Sequence, residues 1–376
     1  MPSFTMPSFT SRRRITSLGA GAATAMAVLA CAAVAQADTG AARPVAYSPT
    51  KPLQVRTILA GAPHGWSSPD DLTSVGRDLY VSFQNGVPAT GGSGGSPTQS
   101  TIVKLNLAGA IEQTWQLTGK CDGLTADPAH HRVIGTVNED GNSSLYTIPT
   151  EGHAAPSHYS YDANPLPHGG GTDSITVYHG GVYVIASAPT AAGGPALYRV
   201  TLNDGVAHLA AAPFFDSSTA TVANTGASGV SVSLALTDPD SSTVVPRQSP
   251  RFRGSFMLDA QGDQQAVFAS HLGQDDQQLQ VLNLSQSVDD TAFATTSAGL
   301  LVATDATAKS VVVITGKLTP GTAYTSVTPA NANNAPSSPG PNYLGVINLN
   351  SGAVNAVSTN SPTFTPHSLI FVPIGD

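Results

Sequence analysis

The sequence predicts an all-β chain folded as one six-bladed β-propeller of four-stranded antiparallel blades. Three observations predict it. Charged residues make up only 11% of the chain, while glycine (37) and proline (28) are abundant beside short Val/Leu/Ile runs, a composition of strands and turns. A short acidic motif recurs at intervals of 51–60 residues, lengthening to 78 before the last copy, the period of a repeat architecture. Each copy is followed by strand–turn–strand patterns with two-residue alternation, as in LYRVTLNDGVAHLA. Five or seven blades, or an array of β-sandwiches, are the alternatives.

The first element is a processing signal. Arg12, Arg13 and Arg14 form a basic start, an Ala/Gly-rich apolar run follows, and Ala35-Gln36-Ala37 fits a small-residue cleavage site. The expected product is a secreted, extracellular chain released after residue 37. Twin-arginine export suits the SRRRIT stretch, and lipoprotein anchoring at Cys31 is the less favoured route. Residues 38–51 read as a short linker and 52–376 as the single propeller domain. No later apolar run is long enough to span a bilayer.

Acidic residues outnumber basic ones 24 to 16, and losing the signal's arginines widens the gap. Such a surface argues against nucleic acid and anionic membranes. With the signal gone Cys121 is the last cysteine, so no intramolecular disulfide forms, and the chain reads as a monomer.

The repeat copies follow in order. PDDLT (69–73), CDGLT (121–125), TDSIT (172–176), VDDTA (288–292) and PHSLI (366–370) each open an innermost strand. A further copy is placed by aligning 127–134 with 238–245, which puts Ser233 in phase. The phased residues are therefore Asp70, Asp122, Asp173, Ser233, Asp289 and His367. LLVAT, after Asp289, is expected as the second strand of that unit, although 310–358 holds more strands than one blade needs. The stretch 329–342 reads as an inserted loop, and LQVRTILA at the N-terminus is expected to complete the last blade.

In a four-stranded blade the phased side chains converge at one mouth of the central channel. Carboxylates brought together must take up protons, find basic partners or bind a cation. An oxygen-rich set with few lysines or thiols suits calcium, which would polarise a carbonyl or a water beside a general base. The structural reading of a repeated Asp is different: it bonds the backbone of its own turn or the next blade and pins register. Residues that break the pattern, His367, Ser233 and the 138–140 loop, are then the stronger site candidates. HGWSSPD and HGGGTD bring His64, Trp66 and His168 to the same rim as ligand-contacting candidates. Cys121 beside Asp122 is a poor nucleophile, since a neighbouring carboxylate raises a thiol's pKa.

Six phased units, acidic inner strands and Asn-bearing loops resemble the gluconolactonase/SMP-30-like and NHL-type six-bladed propellers. The resemblance implies a divalent cation at the channel mouth of a small-molecule hydrolase of lactonase type. It implies Asp70 in place of the family's metal-binding Glu, Asn85 or Asn138 as amide ligands, and Asp289 or Asp173 as the base. From their places in the ring Asp122, Asn138 and Asp289 join the expected metal ligands, and His367 joins Asp289 and Asp173 as an expected catalytic group. The NHL-type likeness implies the alternative, a non-catalytic extracellular propeller binding a glycan, peptide or protein.

Overall fold

The computed structural model describes residues 51–188, 193–329 and 340–375. The export signal, nearly all of the linker and most of the 329–342 insertion lie outside the described residues.

Strands alternate with tight turns whose residues sit where the backbone needs them. Asp204 and Gly205 both have positive φ, 47° and 76°, and join Leu197–Asn203 to Val206–Ala211. This is the left-handed pair that a two-residue hairpin turn requires. His179 and Gly180 do the same between Thr172–Tyr178 and Gly181–Ala186.

The strands assemble into six four-stranded antiparallel units, taken here from the inside outward. The first is Pro69–Val75, Asp78–Phe83, Gln99–Asn106 and Ile111–Thr118. The second is Cys121–Asp127, Arg132–Val137, Ser144–Pro149 and Ser157–Tyr161. Thr172–Tyr178 begins the third, which ends at Val206–Ala211. The fourth is Pro239–Val244, Phe256–Ala260, Gln265–Ser270 and Gln278–Asn283, extended outward by Thr219–Val222 and Ser231–Ser233. The inner strands touch in succession, and Pro366–Pro373 of the last unit meets Pro69–Val75 of the first, so the ring closes.

Packing follows the same ring. Among the described residues six apolar cores lie between successive blades. Tyr80 and Ile102 of the first blade meet Leu124 and Val133 of the second. Ile134 of the second meets Val184 of the third, and Leu197 of the third meets Phe256 of the fourth. Phe268 of the fourth packs with Val327 of the fifth, Tyr324 of the fifth with Leu369 of the sixth, and Val302 of the sixth with Leu79 of the first. Burying such a side chain contributes about 1.5–3 kcal/mol. A β-propeller thus rests on its interfaces, since a lone blade would leave both faces wet.

The last two blades exchange strands. Val288–Phe293 pairs with Ala323–Val327, which continues to Tyr343–Ile347 and Val354–Ala356 as the fifth blade. The intervening Gly299–Asp305 and Ser310–Thr315 cross to the sixth blade. There they lie between Pro366–Pro373 and the N-terminal strand Gln54–Ala60. The LLVAT strand therefore does not follow Asp289 in its own blade, which accounts for the surplus of strands after 310. The N-terminal strand completes the last blade as the sequence suggests.

Ser233 also needs correction. It lies in the outward extension of the fourth blade, exposed, with its hydroxyl on the Ser217 carbonyl. The residue that opens the fourth inner strand is Asp240. The alignment through 238–245 failed because Asp127 ends its inner strand whereas Asp238 precedes one.

Candidate functional site

Every inner strand carries one extra residue against its partner strand at the phased position. The register slips between Pro69 and Leu72, Cys121 and Gly123, Thr172 and Ile175, Pro239 and Ser241, and Val288 and Thr291. The sixth slip lies opposite His367. A bulge bends its strand and re-aims the side chain it carries. Asp70, Asp122, Asp173, Asp240, Asp289 and His367 all line one cavity of about 660 Å³ along the channel.

The residue after each phased one does different work. Asp71 accepts from the Leu124 amide of the second blade at 2.5 Å and lies 2.8 Å from Ser368 Oγ of the sixth. Asp290 accepts from the Leu369 amide at 2.6 Å and lies 2.7 Å from the same Ser368 Oγ. One hydroxyl has one proton to donate. Burial, reinforced by Asp290, pushes the Asp71 carboxyl well up, so Asp71 supplies the second proton of this chain. The register-pinning role expected of the phased aspartates belongs to these two neighbours.

The phased side chains divide into two charged groups. Lys120 Nζ lies 2.8 Å from Asp122 Oδ1 and pairs with Glu139. Gln84 Nε2 donates to the same Asp122 oxygen at 2.9 Å, while Asp122 Oδ2 is buried without a hydrogen-bond partner. On the other side His367 Nδ1 is 3.0 Å from Asp289 Oδ2 and 3.6 Å from Asp70 Oδ1. Gln261 Nε2 donates to Asp289 Oδ1 at 2.7 Å, as Gln84 does to Asp122 from the same blade position three interfaces earlier.

Electrostatics sorts the acids from the bases. Burial opposes the His367 charge, yet Asp289 with Asp70 outweighs it and raises the imidazole to about 10. Burial likewise works against ionised Asp289, but His367 holds it below the usual carboxylate range. Burial raises Asp70 to about 6 against the pull of His367 and Lys120. Asp122 and Asp173 are pushed well up by burial and by Glu139, and Asp240 by burial and Asp289. Burial and Glu139 thus work against an ionised Asp173.

The other sequence candidates lie apart from this ring. His168 is fully buried, with one ring nitrogen on the Tyr198 hydroxyl and the other on the Gly171 carbonyl, both at 2.7 Å. It pins a loop and does not reach the rim. Asn85 spends its amide on Ser67 N, Gln99 O and Thr101 Oγ1. Asn138 spends its amide on Lys120 N and Asn142 O, so both asparagines shape turns at positive φ. His64 stacks on Trp66 at 4.5 Å, and Trp66 leans on Phe83. Cys121 is buried and its thiol is raised by burial and Asp122, an inert packing residue.

Carboxylate oxygens are the donors calcium takes. Among the described residues, however, no three His, Cys, Asp or Glu side chains are grouped as a metal site requires. Lys120 and His367 already bring positive charge to the ring, and Asn138 Oδ1 accepts from the Lys120 amide. The side chains do not fit a ready-made calcium cage, and no step below is routed through one.

Lys120, Asp240 and Gln261 went unread in the sequence. PDSST at 239–243 echoes PDDLT at 69–73 and is the signal for Asp240. Lys120 stands two residues before a phased Asp, and Gln84 and Gln261 each directly follow the end of a second strand.

No protein-family model and no curated protein matches this chain. Among solved structures, the periplasmic gluconolactonase of Pseudomonas aeruginosa aligns with a TM-score of 0.44 at 15% identity over 82% of this chain and 89% of that one. A putative 6-phosphogluconolactonase from Bacteroides fragilis gives 0.40 at 10% identity over 80% and 85%. The β-propeller domain of Myceliophteria thermophila Cps50 gives 0.41 at 10% over 82% and 100%. The names divide between lactonases and a propeller domain, so the functional reading rests on the ring itself.

Proposed function

We propose that the channel mouth hydrolyses a small polar ester or lactone by general acid–base chemistry. The observation that carries this is His367, held as an imidazolium between Asp289 and Asp70 at the wall of a 660 Å³ cavity. A cavity of this size takes a small molecule rather than a chain segment. Two titrating groups whose surroundings drive their pKa values apart, about 6 for Asp70 and about 10 for His367, are an acid–base pair ready at neutral pH.

In this reading ionised Asp70 takes a proton from water as the water oxygen bonds to the acyl carbon. The imidazolium offsets the charge that develops on the carbonyl oxygen. The acyl C–O bond then breaks, and the departing alkoxide takes the imidazole proton. Proton exchange with solvent returns Asp70 to its anion and His367 to its cation. Asp289 keeps the imidazole oriented and charged throughout.

The test is alkali uptake at constant pH with a panel of five- and six-membered lactones and simple esters. Each is run in calcium and in chelator, on the parent chain and on Asp70→Asn and His367→Gln. Turnover lost in both variants with melting temperature kept is the expected result. A parent chain that hydrolyses none of the panel favours the non-catalytic binding propeller.

A further inference from the structure

Away from the ring the channel wall changes character. The position four residues after the phased one is Ser74, Ala126, Val177, Val244, Phe293 and Phe371 in blade order. A strand rises about 3.3 Å per residue, so this level lies on the order of 13 Å from the mouth. Ser74, Val177, Val244, Phe293 and Phe371 line the same cavity as Asp70 and His367. The third to sixth blades thus present large apolar side chains here, where the first two carry a hydroxyl and a methyl. One residue nearer the mouth, Thr73, Thr125, Thr176 and Thr243 line the wall of the first four blades. The cavity therefore grades from charged groups, through hydroxyls, to an apolar end built on blades three to six.

Val244 is the open part of that end. It is 37% exposed, and among the described residues it belongs to none of the six apolar cores. Ile111, Val230 and Ile374 are as exposed but do not line this cavity. Val177 and Phe371 each pack against a core on one side and keep part of their surface open on the cavity. Apolar surface facing water is stabilised when an apolar group covers it. The occupant that reaches it without leaving the ring is the tail of the reacting molecule, because ring and apolar end are walls of one cavity.

We propose that the substrate is an ester or lactone bearing an aliphatic tail, its carbonyl at Asp70 and His367 and its tail laid along Val177, Val244 and Phe371. Each methylene moved from water onto such a wall tightens binding by up to about fourfold. Chain length is then selected by the apolar end rather than by the ring. This substrate class rests on the hydrolytic reading of the ring, but tail binding is measured without turnover.

Calorimetric titration with octyl glucoside below its micelle concentration, and with methyl glucoside as the short-chain counterpart, tests the tail site. Octyl glucoside is expected to bind more tightly by about tenfold or more. Val244→Asp should remove most of that advantage and leave methyl glucoside unchanged, and Val244→Thr, close to it in shape, should remove less. Melting curves confirm that both variants fold. Equal affinity for the two glucosides, or no binding of octyl glucoside, overturns the proposal. An advantage that survives Val244→Asp overturns it too, since the tail then lies elsewhere. Hydrolysis of γ-butyrolactone and γ-decalactone with equal kcat/KM sinks the tail and keeps the hydrolytic reading. Octyl glucoside binding that depends on Val244, in a chain that hydrolyses no lactone, upholds the tail site and sinks the catalytic reading alone.

Discussion

His367 Nδ1 stands 3.0 Å from Asp289 Oδ2 and 3.6 Å from Asp70 Oδ1, so one imidazole joins carboxyls of the two blades that flank its own. The three side chains are distant in the chain and meet because their inner strands bulge at the same position. Catalysis at this junction would depend on ionised Asp70 and protonated His367 together.

The pH–rate profile should therefore be bell-shaped. Activity is expected to rise as Asp70 loses its proton near pH 6 and to fall as His367 loses its own near pH 10. Steady-state rates from pH 4 to 11 check this. An acid limb that survives in Asp70→Glu but vanishes in Asp70→Asn would tie it to that carboxyl.

Asp70 and Asp71 adjoin in sequence and should respond oppositely to alanine. Asp71→Ala strands the Leu124 amide and part of the Ser368 chain, for a loss of about 2–3 kcal/mol. Asp70→Ala removes a group that burial disfavours and should change stability by about 1 kcal/mol or less while abolishing turnover. Urea unfolding with parallel assays separates the two.

Lys120→Met should destabilise by about 2–4 kcal/mol at pH 8, because it leaves Asp122 and Glu139 facing each other unpaired. The loss should shrink as the pH is lowered to 5, because burial and Glu139 raise the Asp122 carboxyl and favour its neutral form. Unfolding curves at the two pH values give the comparison.

Asp259 is buried in the fourth blade, and burial raises its carboxyl to about 8. Its folded pKa is above the unfolded value, so the native state holds a proton that the unfolded chain gives up. Its contribution to stability then declines as pH rises from about 4 to about 8. Raised His367 acts in the same direction between about 6.5 and 10. Asp259→Asn should thus raise the melting temperature at pH 8.5 and change little at pH 4.5. A uniform shift at both values would contradict the assignment.

Strand grammar, turn residues and the phase of the acidic motif were legible because period-two alternation and left-handed turn pairs leave local marks. The strand exchange was not, since Gly299–Asp305 has the same alternation whichever blade receives it. Asp240 was hidden by an alignment anchored on the wrong edge of a strand, although Pro239-Asp240 repeats Pro69-Asp70. His168 shows the converse limit: an HG pair near a phased Asp looks like a rim, and only packing reveals that Tyr198 and Gly171 occupy both nitrogens. Lys120 was missed because the sequence shows no partner for it until the ring brings Glu139 and Asp122 together.

The exchange between the last two blades also bears on how such a chain can be copied and cut. Through the first four blades, the segment from one phased residue to the next holds the four strands of one blade, with Thr219–Val222 and Ser231–Ser233 added before Asp240. From Val288 to Pro373 that correspondence ends, because the fifth blade's outer strands lie on the far side of the sixth blade's hairpin. The fifth blade spans 288–356 with the sixth blade's hairpin inside it, and the sixth blade needs Gln54–Ala60 as well. Neither of the two can be copied or excised alone without leaving strands of the other behind.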